Sequence, residues 1–525
     1  FGGWYKESGL TTAWTFTTDT VTAATTIYAK WTANTYTITF DKQGGTGGSD
    51  SVIATYGSKV PLASMPTRVD GYRFDGYYSG TNGSGARYYT NTGSRALNWD
   101  IASNATLYAN WKINDLKDVD YCTATMVRFG TEGSKFTDGE TFYVSNIDGL
   151  YTLAGIVNGA TNSTYGLNTV SAANGMSGAT IIMLNIIGLN PSFSFKMDTN
   201  GNLVGSYTGA LTWVPIGNNT NTFKGTFDGN GYYITGIFIN GTNDYQGLFG
   251  YIDTGSMIKN LEVNNSFIKG NSNVGGIAGY TKGTIYSCAN TAYISGVKYV
   301  GGIAGYCNGA SGGWIRDCFN FKMIYGSNSE IGGIVGYVSS TSYSHIKIVN
   351  CHNGGEIRAP NAADVGGIAG VNSENGIENC YNTGNIYGGS DCGGIVGWND
   401  GRIEYCYNRG AVSGSEEVGG VSGGNYYADV ISCYNGGAIT GSSLVGGITG
   451  WYGGTTITYC KHSGTVNGAP AALGNINGNG SYDATCTITS KTHTQIIAEL
   501  NNWLNTHSSE PPYRRWQTSP YYLIL

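Results

Sequence analysis

Four acidic residues occupy one position of a recurring block: Glu330, Asp364, Asp391 and Glu417 each stand directly before an aliphatic residue or cysteine followed by two glycines. Other copies carry Asn273, Tyr299 and Leu444 there. If consecutive copies stack in register, neighbouring carboxylates lie about 5 Å apart. Their repulsion is on the order of 1 kcal/mol per pair in water and several times that at lower dielectric. Splaying into solvent, a nearby cation, raised pKa values or a bound metal such as Ca²⁺ would each relieve it. Calcium is the one cofactor this row suggests.

A second row follows each glycine block: Tyr280, Tyr306, Tyr337, Trp398 and Trp451, interrupted by Val371 and Gly424. If the aliphatic residue three places earlier points inward, strand alternation turns these rings outward. An outward aromatic row beside polar amides suits sugar stacking, a protein partner or self-association. Catalysis is not expected. The chain has no H-E-x-x-H and no G-x-S-x-G, and only five histidines. His352 and His462 stand where other copies carry Tyr or Asn, and read as substitutions in structural ladders.

Cysteine recurs at one place per copy, as Cys288, Cys318, Cys351, Cys380, Cys406, Cys433 and Cys460, with Cys486 near a degenerate copy. Stacked parallel side chains fit disulfide geometry poorly, and no C-x-x-C occurs. The stack therefore reads as buried, reduced thiols acting as small apolar residues. Cys122, Cys307 and Cys392 lie outside it. Two residues after each cysteine from Cys288 to Cys433 comes an amide, among them Asn382, Asn408 and Asn435, which would bond along the stack.

These rows require a scaffold that returns to the same place every turn. Glycine blocks of the Val418-Gly419-Gly420-Val421-Ser422-Gly423 kind start at Val274, Val300, Ile331, Val365, Cys392, Val418 and Val445, with a degenerate one at Leu473. Such self-similarity is the signature of a solenoid. An aliphatic residue precedes each cysteine by three (Ile285 through Ile457), and a β-branched one follows it by six (Ile294 through Val466). That gives three short β segments per copy, hence an all-β parallel β-helix whose glycines permit tight corners.

Composition agrees. Glycine is 84 of 525 residues with only 9 proline, and charged residues make up 12%. A net charge of −6 argues against nucleic acid or an anionic membrane as partner. No apolar run reaches about 18 residues, so no membrane insertion is expected. The start at Phe1, without Met or signal peptide, reads as a piece of something longer.

The first 112 residues differ. Tyr36–Phe40 alternates as a strand, followed by Gly57-Ser58-Lys59-Val60-Pro61, Gly71–Tyr78 and Leu107-Tyr108-Ala109-Asn110-Trp111. This stretch resembles a Listeria–Bacteroides (internalin B-type) repeat. The resemblance implies a small β-grasp-like module of bacterial surface proteins, acting as a stalk spacer or weak adhesion module. The same ending occurs earlier as Phe1–Tyr5 and Ile27–Trp31, so the chain opens inside a preceding copy.

Beyond a charged linker, Ile147–Asn158 has helical spacing and Ile181–Leu184 reads as a buried strand. Trp213–Gly217, Phe223–Gly231, Gly247–Gly250 and the glycine blocks together resemble the GLUG-motif family. That resemblance implies bacterial, extracellular β-helical proteins, some adhesin-like and some attached to immunoglobulin-A-cleaving peptidases. Near the C-terminus, Thr492–Gln495 has capping-box spacing before a short amphipathic helix, expected to cap the solenoid.

The expected division is a partial module at 1–34, a complete one at 35–112, an N-terminal solenoid part at 113–250, GLUG-type turns at 251–490 and a cap at 491–525. The expected function is an extracellular, cell-surface rod for adhesion to glycan or protein. The alternatives are a structural subunit of a filament or surface layer, and a non-catalytic region of a secreted carbohydrate-active enzyme or peptidase.

Overall fold

The computed structural model describes residues 1–68, 72–113, 115, 141–159, 174–308, 313–339, 347–374, 376–453, 456–470, 481–482 and 487–488. The expected cap at 491–525, the degenerate block at Leu473, Cys122 and Cys486 lie outside them. The chain divides into two compact units, Phe1–Asn114 and Asp115–Leu525.

In the first unit, β1 (Trp4–Tyr5) pairs antiparallel with β2 (Tyr28–Ala29). Five further strands follow: β3 (Thr35–Asp41), β4 (Ser51–Thr55), β5 (Tyr72–Tyr78), β6 (Arg87–Thr90) and β7 (Ala105–Ile113). They form one sheet in the order β4-β3-β7-β5-β6. The first and last of them, β3 and β7, pair in parallel at its centre, and the other pairs are antiparallel. Alternation along β3 buries Ile38 and Phe40, which join Tyr77, Tyr89, Trp99 and Leu107 in the core.

The two aromatic endings have the same geometry. Phe74 meets Trp111 edge-on at 5.5 Å and Tyr77 at 5.1 Å. Phe1 meets Trp31 at 5.4 Å and Trp4 at 5.6 Å, also edge-on. The internal repetition read from sequence therefore extends to ring packing.

The second unit is a parallel β-solenoid of about eight turns. Helix α1 (Ile147–Asn158) follows a first strand, Thr141–Val144: Asn146 caps it by accepting from the Gly149 amide at 3.1 Å, and Gly159 ends it in the left-handed conformation. Its buried Leu150, Leu153, Ile156 and Val157 enter the same core as the first turns. The expected strand at Ile181–Leu184 is buried on one side only, because Ile181 and Met183 face in while Ile182 lies between.

Three parallel sheets wall the solenoid. On the first, Tyr251, Tyr280, Tyr306, Tyr337, Val371, Trp398, Gly424 and Trp451 lie in one register. The second aligns Val274, Val300, Ile331, Val365, Cys392, Val418 and Val445. The third aligns Ile285 through Ile457 and the amide row. A typical turn has five strand pieces rather than the three expected. Ile403–Glu404 and Tyr407–Asn408 share the third sheet, and Val412–Ser413 and Glu416–Gly419 share the second.

The corners also differ from the sequence reading. Left-handed backbone falls not on the paired glycines but two residues before them, with φ of 55° at Glu330, 57° at Asp364, 49° at Asp391 and 52° at Glu417. A second left-handed corner precedes the cysteines, at Asp317, Asn350, Asn379 and Tyr405 among others. Asn and Asp tolerate this region better than most residues. The paired glycines are required by close approach instead. A Cβ on Gly393 would sit 1.8 Å from the Val396 carbonyl oxygen, and one on Gly394 2.1 Å from that of Gly420.

Candidate functional site

The aromatic row forms a stack. Tyr251 and Tyr280 lie 4.4 Å apart at 23°, Tyr280 and Tyr306 5.0 Å at 12°, and Tyr306 and Tyr337 5.0 Å at 16°. The rings point outward as alternation requires, but each is only half exposed, because its faces cover its neighbours. Ring edges and hydroxyls are what this face presents; the Tyr306 hydroxyl pairs with that of Ser339 at 2.9 Å.

Val371 leaves the row interrupted, whereas the gap at Gly424 is filled from within the chain. Tyr426 enters between Trp398 (5.1 Å) and Trp451 (4.4 Å). A Cβ on Gly424 would be 2.6 Å from its ring. Tyr251 and Tyr426 were missed from the sequence. Tyr251 lies in the less regular part before the glycine blocks; the signal for Tyr426 was an aromatic two residues after the one glycine of the row.

The acid row runs beside the aromatic one. Tyr299, at the acid position of an earlier turn, stands edge-on to Tyr306 (5.2 Å) and Tyr337 (5.5 Å). Glu330 is paired with Lys298 at 3.4 Å and accepts from the Ser329 hydroxyl. Asp364 has its pKa pushed up to about 7, first by burial and then by the charges of Asp391 and Glu330. Asp391 and Glu417 converge: an oxygen of each lies 2.9 Å from the point a Gly424 Cβ would occupy. Burial first, then Asp391, raises Glu417 to about 8, while Asp391 is raised by burial. The Tyr426 hydroxyl donates to Glu417 Oε2 at 3.2 Å. On this pair of turns two carboxyls face one another, and both are pushed towards the protonated form. Among the described residues, no group of three or more His, Cys, Asp or Glu is placed to hold a metal ion.

The structural ladders form as the spacing predicts. Each amide Nδ2 from Asn290 to Asn408 donates to the Oδ1 of the next turn at 2.8 Å, through Asn320, Asn353, Asn382 and Asn408 to Asn435. His462 takes the next place, with Nδ1 3.1 Å from Asn435. His352 stacks on Tyr381 at 3.9 Å and 9°, and burial pushes its pKa down to about 3. The cysteines Cys288, Cys318, Cys351, Cys380, Cys406, Cys433 and Cys460 are buried thiols that form no disulfide with one another. Each thiol leans on a carbonyl of the preceding turn, as Cys406 does on Ile377 at 3.7 Å.

A further feature had no sequence signal: residues 190–211 form a strap over the outside of the second sheet. Asn190 clamps it at both ends, donating to the carbonyls of Leu211 (2.9 Å) and Gly236 (2.7 Å) and accepting from the Leu211 amide (2.8 Å). Phe195 stacks on Phe238 at 5.4 Å and 5° and on Tyr207 at 4.9 Å. Asn265 donates to the Phe193 carbonyl at 2.8 Å.

A parallel β-solenoid bearing outward aromatic and acidic rows, in one chain with a small β-repeat module, is the class these features define. Residues 1–30 and 36–110 match the family model of the Listeria-Bacteroides repeat domain. Internalin H of Listeria monocytogenes is 37% identical over 121 residues, 23% of this chain and 20% of its own. A protein of Evansella cellulosilytica, provisionally named as a membrane protein, is 38% identical over 126 residues, 23% of this chain and 17% of its own. The chain thus spans a fifth or less of the length of these relatives. A solved structure from Bacteroides ovatus, provisionally named as an immunoglobulin A1 protease, aligns over 72% of this chain and 90% of its own at 17% identity, with a TM-score of 0.38. That likeness is too distant to carry an argument. Among the described residues, no helix is long and apolar enough to cross a membrane.

Proposed function

We propose that this chain is a non-catalytic, surface-displayed adhesion protein of bacterial type. In this reading its solenoid is of the GLUG-motif kind, and it presents the joined aromatic and acidic rows to a glycan or protein on another surface. The repeat-domain match and the likeness to internalin H support display at a cell surface. The observation that carries the binding reading is the abutment of the two rows along one edge of the solenoid, seen where Tyr299 meets Tyr306 and Tyr337. Because the rings cover one another, contact is made through hydroxyls, ring edges and carboxyls, which favours a hydrogen-bonding partner over ring-on-ring stacking. The test is adhesion of cells or beads carrying the intact chain to host-cell, glycan and matrix-protein surfaces. Replacing Trp398 and Trp451 together by Ala should reduce adhesion at least tenfold with the fold kept. Unchanged adhesion would sink the reading.

A further inference from the structure

The strap does not lie flush on the turns beneath it. Between them is a cavity of about 310 Å³, bounded by Phe195 and by Ser194, Asn264, Asn265, Thr291, Tyr293 and Lys322. Ligand pockets span about 300–1,000 Å³, so this one suits a ligand of one or two rings. Its lining comes from successive turns at one corner: Asn264 and Asn265, then Thr291 and Tyr293, then Lys322. At about 4.8 Å per turn these groups spread over roughly 10 Å.

Lys322 gives the cavity its chemistry. Its ammonium lies over the Tyr293 ring, 4.7 Å from the centroid. Its backbone carbonyl is fixed by the Asn320 amide at 3.0 Å, so the side chain springs from a rigid point. Of the two acids nearby, Glu356 is matched by a cation, and Glu262 makes no ion pair among the described residues but is held by two of the lining groups. Glu262 accepts from Asn264 (2.8 Å) and Thr291 (3.1 Å), and Glu356, on the following turn, pairs with Arg358. Among the described residues Lys322 makes no ion pair. A half-buried ammonium without a counterion favours an anion. The surrounding amides, hydroxyls and aromatic walls suit a hydroxylated ring with an apolar face.

We propose that this cavity binds an acidic sugar, a pyranose bearing a carboxylate, with the carboxylate on Lys322 and ring hydroxyls on Asn264, Asn265 and Ser194. The site is separate from the aromatic and acidic rows, so each can fail without the other. A hexuronate disaccharide is titrated into the intact protein by calorimetry and ligand-observed NMR, beside its neutral hexose counterpart and an acidic peptide. The uronate should bind, the neutral sugar at least tenfold more weakly, and Lys322→Ala should cost the uronate about tenfold while Lys322→Arg keeps most of its affinity. Thr291→Val provides a second variant should Lys322→Ala melt early. The double Trp398 and Trp451 variant should bind uronate as the parent does. Equal binding of the neutral sugar, uronate binding untouched by Lys322→Ala, no uronate binding, or binding of the peptide alone would each overturn the assignment.

Discussion

Asn408 receives a hydrogen bond from Asn382, passes one to Asn435 and donates a second to the carbonyl of its own Gly410, wholly out of solvent. An amide suits this place because it has both donors and acceptors, and a β-solenoid needs a side chain that can bond to its own copy one turn away. Replacing it by Ala strands a donor on Asn382 and acceptors on Asn435 and Gly410. Each buried group left unpaired costs about 1–3 kcal/mol. Asn408→Ala should therefore lower stability by about 3 kcal/mol or more, read from the denaturation midpoint of the solenoid, with the largest loss of hydrogen-exchange protection in the turns at 380–440. A loss below about 0.5 kcal/mol would mean the ladder is incidental. His352 shows the same tolerance of position over identity: its neutral ring substitutes for a tyrosine in a stack.

At the scale of strands and corners, the acid row sets a pH dependence. In the folded chain Asp364 titrates near 7 and Glu417 near 8, against ordinary values of 3.8 and 4.5. Between those limits the fold holds protons that the unfolded chain has released, so stability falls as pH rises. The contribution is complete below the ordinary carboxylate range and lost as pH passes 7 to 8. The melting temperature of the solenoid should decline from pH 5 to pH 8, and Asp364→Asn with Glu417→Gln should flatten that decline. A rise over the same window would contradict these raised carboxyls, and a rise on adding calcium at pH 8 would show a cation taking the place of their protons.

Much at this scale was legible. The recurrence of the glycine blocks gave the turn, its aliphatic positions gave the core, and register then placed Tyr280 over Tyr306 and Glu330 in line with Asp364. The corners were not legible, because left-handed backbone at Glu330 or Tyr299 runs against residue preference and is imposed by the turns above and below. Nor was the strap, since it joins Phe195 to Phe238 across a non-repeating stretch. Tyr426 was missed because a gap in a ladder is filled by whatever ring lies nearest in space.

For the whole molecule, the two units have separate cores. Trp99, Tyr77 and Tyr89 belong to one, and the aliphatic and thiol columns of the solenoid to the other. Heating should therefore give two transitions in calorimetry. Trp99, fully buried in the smaller core, should cost about 3–5 kcal/mol when replaced by Ala. That change should lower the smaller transition and leave the larger in place; movement of both together would mean the units unfold as one. Within the solenoid each turn touches mainly its neighbours, so opening can start at an end and travel inward. The column of unbridged thiols turns that travel into a record. A thiol-reactive dye cannot reach Cys380 or Cys406 while their turns are shut, and burial pushes the Cys380 thiol well above its ordinary range besides. The sequence in which the seven column thiols from Cys288 to Cys460 become labelled, told apart from Cys307 and Cys392 by peptide mapping, is thus a timetable of the solenoid's unzipping, written into the chain without any probe having to be engineered.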